Sequence, residues 1–182
     1  MSDFNKIVQW LLYEEDSHTH PGVTVDLGDG AGLTRLGITS KNFGLAVPGT
    51  FFSTLPFAEA VQAAKQVYKN SFWNKFNGDE IASDQVAAPL LSFSVNRNVH
   101  TAVKTLQHVL LVTPDGVLGP ETAHELNQKD PVIVAKMFRN EWVNFYHTVA
   151  QMNPNDARFL DGWINRVNFP YPSPLVPTDL YA

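Results

Sequence analysis

The chain has 182 residues, 44% of them hydrophobic and 17% charged, a composition that suits one domain and excludes a disordered chain. It has no cysteine, which removes disulfide scaffolds, thiolate zinc sites, iron–sulfur sites and cysteine nucleophiles, and surface scaling buries roughly 70% of the unfolded surface without such staples. Thirteen basic against eighteen acidic residues, a formal charge of −5, leave no electrostatic footprint for nucleic acid or anionic lipid.

Taken in order, the first pattern is a helix from Phe4 to about Glu15, with Ile7, Val8, Leu11 and Leu12 at helical spacing and Ser2 or Asp3 as the cap. The segment MSDFNKIVQWLLYEED lacks the small-residue cleavage site of a signal peptide, and no run reaches the 18 or so apolar residues of a membrane helix. The expectation is synthesis in the cytoplasm with no membrane span. A polar, glycine-rich stretch follows, in which Val23 to Val25 and Leu33 to Ile38 are extended segments between turn signals, so a small β-hairpin is predicted. Thr54-Leu55-Pro56 opens a second helix, with Ala58, Val61, Ala64, Val67 and Tyr68 as its stripe, ending near Phe72. Helices are expected over 84–95, 99–111, 119–127 and 131–146, and a last one over 155–167. A tail with four prolines, 168–182, should run extended along the surface. The class is mainly α, with a hairpin after the first helix.

On a wheel of 100° per residue starting at Phe4, the buried stripe of the first helix centres near 10° and Glu15 falls at about 20°. Glu14 and Asp16 fall to either side. A carboxylate that ends a helix on its core-facing side loses solvation, which favours the protonated form a general acid needs. The alternative is a frayed, solvated end, although acids at a helix C-terminus oppose the macrodipole. Asp29 lies in the turn D-G-A-G and Asp26 three residues earlier. An acid on a helix end facing an acid on a loop is the pair that glycoside hydrolysis uses, one protonating the leaving oxygen and the other serving as base, nucleophile or ion stabiliser. Taken alone, Asp29 reads as a turn residue before it reads as a catalyst.

The run E-D-S at 15–17, with D-G-A-G-L-T-R-L-G-I-T from Asp29 to Thr39, resembles the amino-terminal signature of glycoside hydrolase family 108, the N-acetylmuramidases of the lysozyme superfamily, which reads E-G-G and then D-P-G-G-x-T-x-x-G-I-T. Downstream, Asn96, A-V-K-T-L-Q at 102–107, D-G-V-L-G-P-E-T at 115–122, F-Y at 145–146 and F-L-D-G-W-I-N-R-V at 159–167 resemble the family's carboxy-terminal peptidoglycan-binding region. The resemblance implies a lysozyme-like helical fold, a catalytic region over 1–95, a helical wall-binding region over 96–167 packed on it as one unit, and the tail beyond. It assigns the catalytic glutamate to Glu15 and the motif's aspartate and threonine to Asp29 and Thr34, with Thr34 holding the attacking water as a hydroxyl can both donate and accept. Asp26, Asn96, Trp163 and Arg166 are its candidate glycan contacts. The chain departs from the family where two glycines are Asp16 and Ser17, and where N-x-G is Asn96-Arg97-Asn98.

Other patterns are weaker. His18-Thr19-His20 is a loop H-x-H that fits zinc in an amidase but lacks a third histidine nearby. His100, His108, His124 and His147 fall on helices, where a surface or satisfied buried histidine is the default. Gly116 to Thr122 lacks the glycine-lysine pair of a phosphate loop. Trp163 and Arg166 share a helix face, where the tryptophan either packs on the core or stacks on a sugar. The expected function is thus hydrolysis of the β-1,4 bond between N-acetylmuramic acid and N-acetylglucosamine, with no cofactor and no metal, peptidoglycan strands as partner, and a holin or secretion apparatus for exit to the periplasm or wall. The competing readings are a non-hydrolytic wall-binding module and a metal-dependent amidase built on His18 and His20.

Overall fold

The computed structural model describes residues 1–16, 20–28, 30–173 and 180–182. Its contacts gather into two compact units, one of residues 5–71 with the last residues of the chain, the other of residues 1–4 with 72–173. The seam at 71/72 differs from the sequence-based division at 95/96.

In the first unit, helix α1 spans Phe4–Glu15. Ile7, Val8, Trp10, Leu11 and Leu12 are buried, and Glu15 is half-buried, as its helical phase predicted. The glycine-rich stretch forms three short antiparallel strands in the order β1 (Val25–Asp26), β2 (Leu33–Arg35) and β3 (Ile38–Thr39). The run read as one extended segment, Leu33 to Ile38, doubles back because Leu36 and Gly37 both take positive φ, 52° and 72°. That is the mirror-image turn whose twist suits a two-residue hairpin. It sets Arg35 opposite Ile38 and Thr34 opposite Thr39. A short helix that the sequence did not announce, α2 (Ser40–Phe43), follows directly.

Helix α3 runs Phe57–Ser71 behind Pro56 and buries Ala60, Val61, Ala64, Val67 and Tyr68. Ala58, expected on the apolar stripe, is exposed. The unit's least expected core residue is Arg35, only 8% exposed. Its guanidinium donates to the carbonyls of Gly22 (2.7 Å), Phe51 (2.6 Å) and Leu55 (2.9 Å), tying loop backbone that no strand or helix satisfies. Burial lowers its pKa, and the nearby Asp16 charge opposes that shift.

The second unit is helical. Two 3₁₀ turns, Trp73–Phe76 and Gly78–Glu80, lead into α4 (Asp84–Asn96), α5 (Val99–Leu110), α6 (Pro120–Asn127) and α7 (Pro131–Met152). Side-chain caps explain the starts: Ser83 accepts from the Gln85 amide, Asn98 from Thr101 and Asp130 from Val132 and Ile133. Helix α7 outruns its predicted end at Tyr146 because no breaker intervenes before Asn153-Pro154. The predicted last helix divides into a 3₁₀ segment, Pro154–Phe159, and α8, Leu160–Asn168. Helix α4 packs on α5 and α7, where Phe93 stacks on Trp142 at 4.7 Å and meets Phe138 and Tyr146.

Candidate active site

The end of α1 and the β2–β3 turn are built against one another. A β-carbon added to Gly37 would sit 2.8 Å from the Glu15 Cβ, 3.2 Å from its Cγ and 2.3 Å from the Tyr68 hydroxyl. That same hydroxyl donates a 3.0 Å hydrogen bond to the Leu36 carbonyl. Only a residue without a side chain fits at 37, on grounds of both space and φ. The stem of Glu15 is therefore packed on the turn, and the residue as a whole is half-buried.

Two residues past Gly37 on one strand and three before it on the other, Thr39 and Thr34 face each other across the hairpin. Pairs flanking a two-residue turn alternate, which makes this one the close, non-hydrogen-bonded kind with Cα atoms about 4.5 Å apart. Both hydroxyl oxygens are buried, and neither has a hydrogen-bond partner among the described residues. Thr39 stands at the N-cap of α2 with extended backbone yet makes no cap hydrogen bond. A buried hydroxyl that lacks a partner costs about 1–3 kcal/mol.

Asp16 is a hub. One carboxylate oxygen accepts both the Gly22 amide at 2.7 Å and the Tyr181 hydroxyl at 2.9 Å. Burial and the Asp16 carboxylate raise the Tyr181 pKa well above the ordinary phenol range. Asp16 is thus engaged in the local architecture.

Of the other predicted residues, Asp29 lies outside the described residues, as do Ser17 and His18. Asp26 is exposed, and its Oδ1 accepts the Gly28 amide at 2.9 Å, which closes the turn leaving β1. In the second unit, Asn96 Oδ1 accepts from the Tyr146 hydroxyl, and Trp163 stacks on the Tyr146 ring at 4.9 Å and 20°. Asn96, Tyr146 and Trp163 therefore form one packed chain. Arg166, half-buried one turn after Trp163, completes that face. The D-G-V-L-G-P-E-T loop is organised by Gln107, whose amide nitrogen donates to Asp115 Oδ1 (2.7 Å), the Val117 carbonyl (3.0 Å) and Thr122 Oγ1 (3.1 Å), while its oxygen accepts the Gly116 amide (2.8 Å). That one side chain links the A-V-K-T-L-Q motif to the D-G-V-L-G-P-E-T motif. Among the described residues, no group of three or more His, Cys, Asp or Glu comes together to hold a metal. His20 is exposed.

Sequence reading missed the part that Gly37, Thr39, Tyr68, Arg35 and Tyr181 play here, although it placed Tyr68 on a buried stripe and the first two and Arg35 within a motif. The signals for the first two were present, in a Leu-Gly turn between alternating residues and two threonines symmetric about it. Nothing local in the sequence brings Tyr181 to Asp16.

Residues 17–97 match the family model described as Glycosyl hydrolase 108, and residues 101–168 match the model described as Predicted Peptidoglycan domain. Thr34, Asp26 and Asn96 fall inside the first match and Trp163 and Arg166 inside the second, while Glu15 lies just ahead of the first. Among solved structures, the chain is similar to the one titled "Structure of Brucella abortus SagA", with 25% identity, 90% of this chain and 88% of that chain covered, and a TM-score of 0.68. No curated protein matches the chain.

Proposed function

We propose, from the premise that this chain is a glycoside hydrolase of family 108 that carries a predicted peptidoglycan domain, that it is an N-acetylmuramidase cutting the β-1,4 bond between N-acetylmuramic acid and N-acetylglucosamine. The observation that carries this reading is the junction of Glu15 with the Thr34–Thr39 hairpin through Gly37. It joins the half-buried Glu15 to the hairpin that carries two buried hydroxyls with no partner among the described residues.

In this mechanism Glu15 protonates the departing glycosidic oxygen as the bond to the anomeric carbon breaks. Asp29 stabilises the oxocarbenium-like charge or orients water together with Thr34, whose hydroxyl has both a donor and an acceptor to offer. Residues 1–95 carry the chemistry and residues 96–167 bind the wall, with Asn96, Trp163 and Arg166 as the proposed glycan-facing group and Asp26 at the edge of the hairpin. These functional regions differ from the compact units, since α4 packs within the helical one. Among the described residues no helix is long and apolar enough to cross a membrane, and the proposed route to the wall is a holin or secretion apparatus.

The test is loss of turbidity of purified cell walls. Wild-type protein should clear the suspension and Glu15→Gln should not, with chelator making no difference. Clearing that survives Glu15→Gln would overturn the assignment of the acid, and clearing abolished by chelator would favour a metal-dependent amidase.

A further inference from the structure

The chain end docks in the same unit as α1. Tyr181 is only 1% exposed; its ring lies against Phe57, with centroids 6.0 Å apart. The carbonyl of the last residue, Ala182, accepts from the Gln62 side chain at 3.4 Å. The only polar atom of the Tyr181 side chain is spent on Asp16. Tyr181 is thus held at its ring and at its hydroxyl, and the contact fixes both partners.

What it holds is the residue after the proposed acid. Asp16 continues α1 through its amide bond to the Leu12 carbonyl at 3.0 Å. Its carboxylate oxygen, shared between Tyr181 and Gly22, ties the helix end to the loop that leaves it. Glycine at this position has no side chain and could make neither bond. A bare aspartate here would bring a second negative charge next to Glu15 and a flexible side chain into its space. Two neutral donors fix its orientation.

We infer that Tyr181 and Asp16 form a clamp that positions Glu15, making Tyr181 a positioning residue of the active site. The inference rests on the muramidase reading and deepens it.

Initial rates on soluble peptidoglycan fragments test it, with thermal melts alongside to confirm folding. Tyr181→Phe keeps the ring and removes the hydroxyl. The clamp predicts a loss of about tenfold in kcat with little change in KM, the signature of a displaced catalytic group. Asp16→Gly should lose at least as much, since it also releases the Gly22 amide, and the double variant no more than Asp16→Gly alone. Asp16→Asn, which still presents an acceptor oxygen, should recover most of the rate lost in Asp16→Ala. A folded Tyr181→Phe with wild-type kcat, or losses that multiply in the double variant, would overturn the clamp and leave the muramidase reading intact. Should Tyr181→Phe fail to fold, the comparison of Asp16→Asn with Asp16→Ala decides, and equal rates in those two overturn the clamp. A wild-type protein that cuts no glycan bond defeats both readings together.

Discussion

Gly37 lies directly under Glu15, with space for no side chain between the turn and the carboxylate stem. The end of the first helix and the tip of the hairpin are consequently one object, and whatever moves residue 37 moves the proposed acid. Gly37→Ala combines a left-handed backbone with a collision against Tyr68 and Glu15. It should destabilise the protein by about 2–4 kcal/mol and lower kcat in whatever fraction remains folded. Urea unfolding and rates measured well below the midpoint check the two effects separately.

Thr34 and Thr39 make the opposite kind of prediction. Replacing either by valine removes a buried hydroxyl that has no partner among the described residues, at nearly constant shape. Stability should therefore hold or rise, by about 1 kcal/mol. Activity should fall for Thr34→Val if its hydroxyl holds the attacking water. Calorimetric melting together with rates on cell walls reads both, and a destabilised Thr39→Val would mean that its hydroxyl has a partner after all.

Gln107 is the most connected side chain of the helical unit. Gln107→Leu removes one hydrogen bond each from the Asp115 carboxylate, which keeps the Val117 amide, from the Gly116 amide and from the Thr122 hydroxyl. The expected cost is about 2–4 kcal/mol, seen as a lower urea midpoint. The same contact gives an acid-side signature. The Gln107 hydrogen bond and the Val117 amide hold the Asp115 pKa below its ordinary 3.8. A depressed folded-state pKa contributes stability above the unfolded value and loses it as pH falls through the folded one. The melting temperature should thus drop below about pH 4, less steeply in Gln107→Leu.

At the alkaline end the sign reverses. Burial raises the pKa of Tyr181, with Asp16 adding to it, and burial raises that of Tyr171, with Asp84 adding to it. An acid whose pKa is raised by folding contributes fully below its unfolded value, here the ordinary 10.0, and its contribution is lost as pH rises through the folded value. Stability should decline from about pH 10 upward. Tyr181→Phe and Tyr171→Phe should each flatten that decline, followed by unfolding in urea at stepped pH. An unchanged slope in both variants would contradict the pairing of these phenols with carboxylates.

Much of this was legible in the residues. The bounds of α1 and the inward phase of Glu15 followed from apolar periodicity alone, because a twelve-residue amphipathic helix repeats its signal three times. Helical spacing placed α4, α5 and α7 for the same local reason. The three-stranded sheet was only half visible, since its strands are two or three residues long and a Leu-Gly turn within an apolar run reads as continued strand. The buried Arg35 was hidden because its partners are backbone carbonyls of distant loops, which no sequence pattern encodes. Tyr181 and Asp16 are 165 positions apart, and a proline-rich tail signals extension without saying what its last residues meet. Asn96 and Trp163, singled out as glycan contacts, share Tyr146 as their neighbour, a tertiary fact that helical spacing could only hint at.

The most direct measurement is mass spectrometry of the fragments released from purified sacculi in oxygen-18 water, with wild type and Glu15→Gln side by side. Disaccharide-peptides ending in a labelled reducing N-acetylmuramic acid, formed by wild type and absent with the variant, are the predicted result. Intact glycan chains with freed stem peptides, or reducing ends on N-acetylglucosamine, would contradict it.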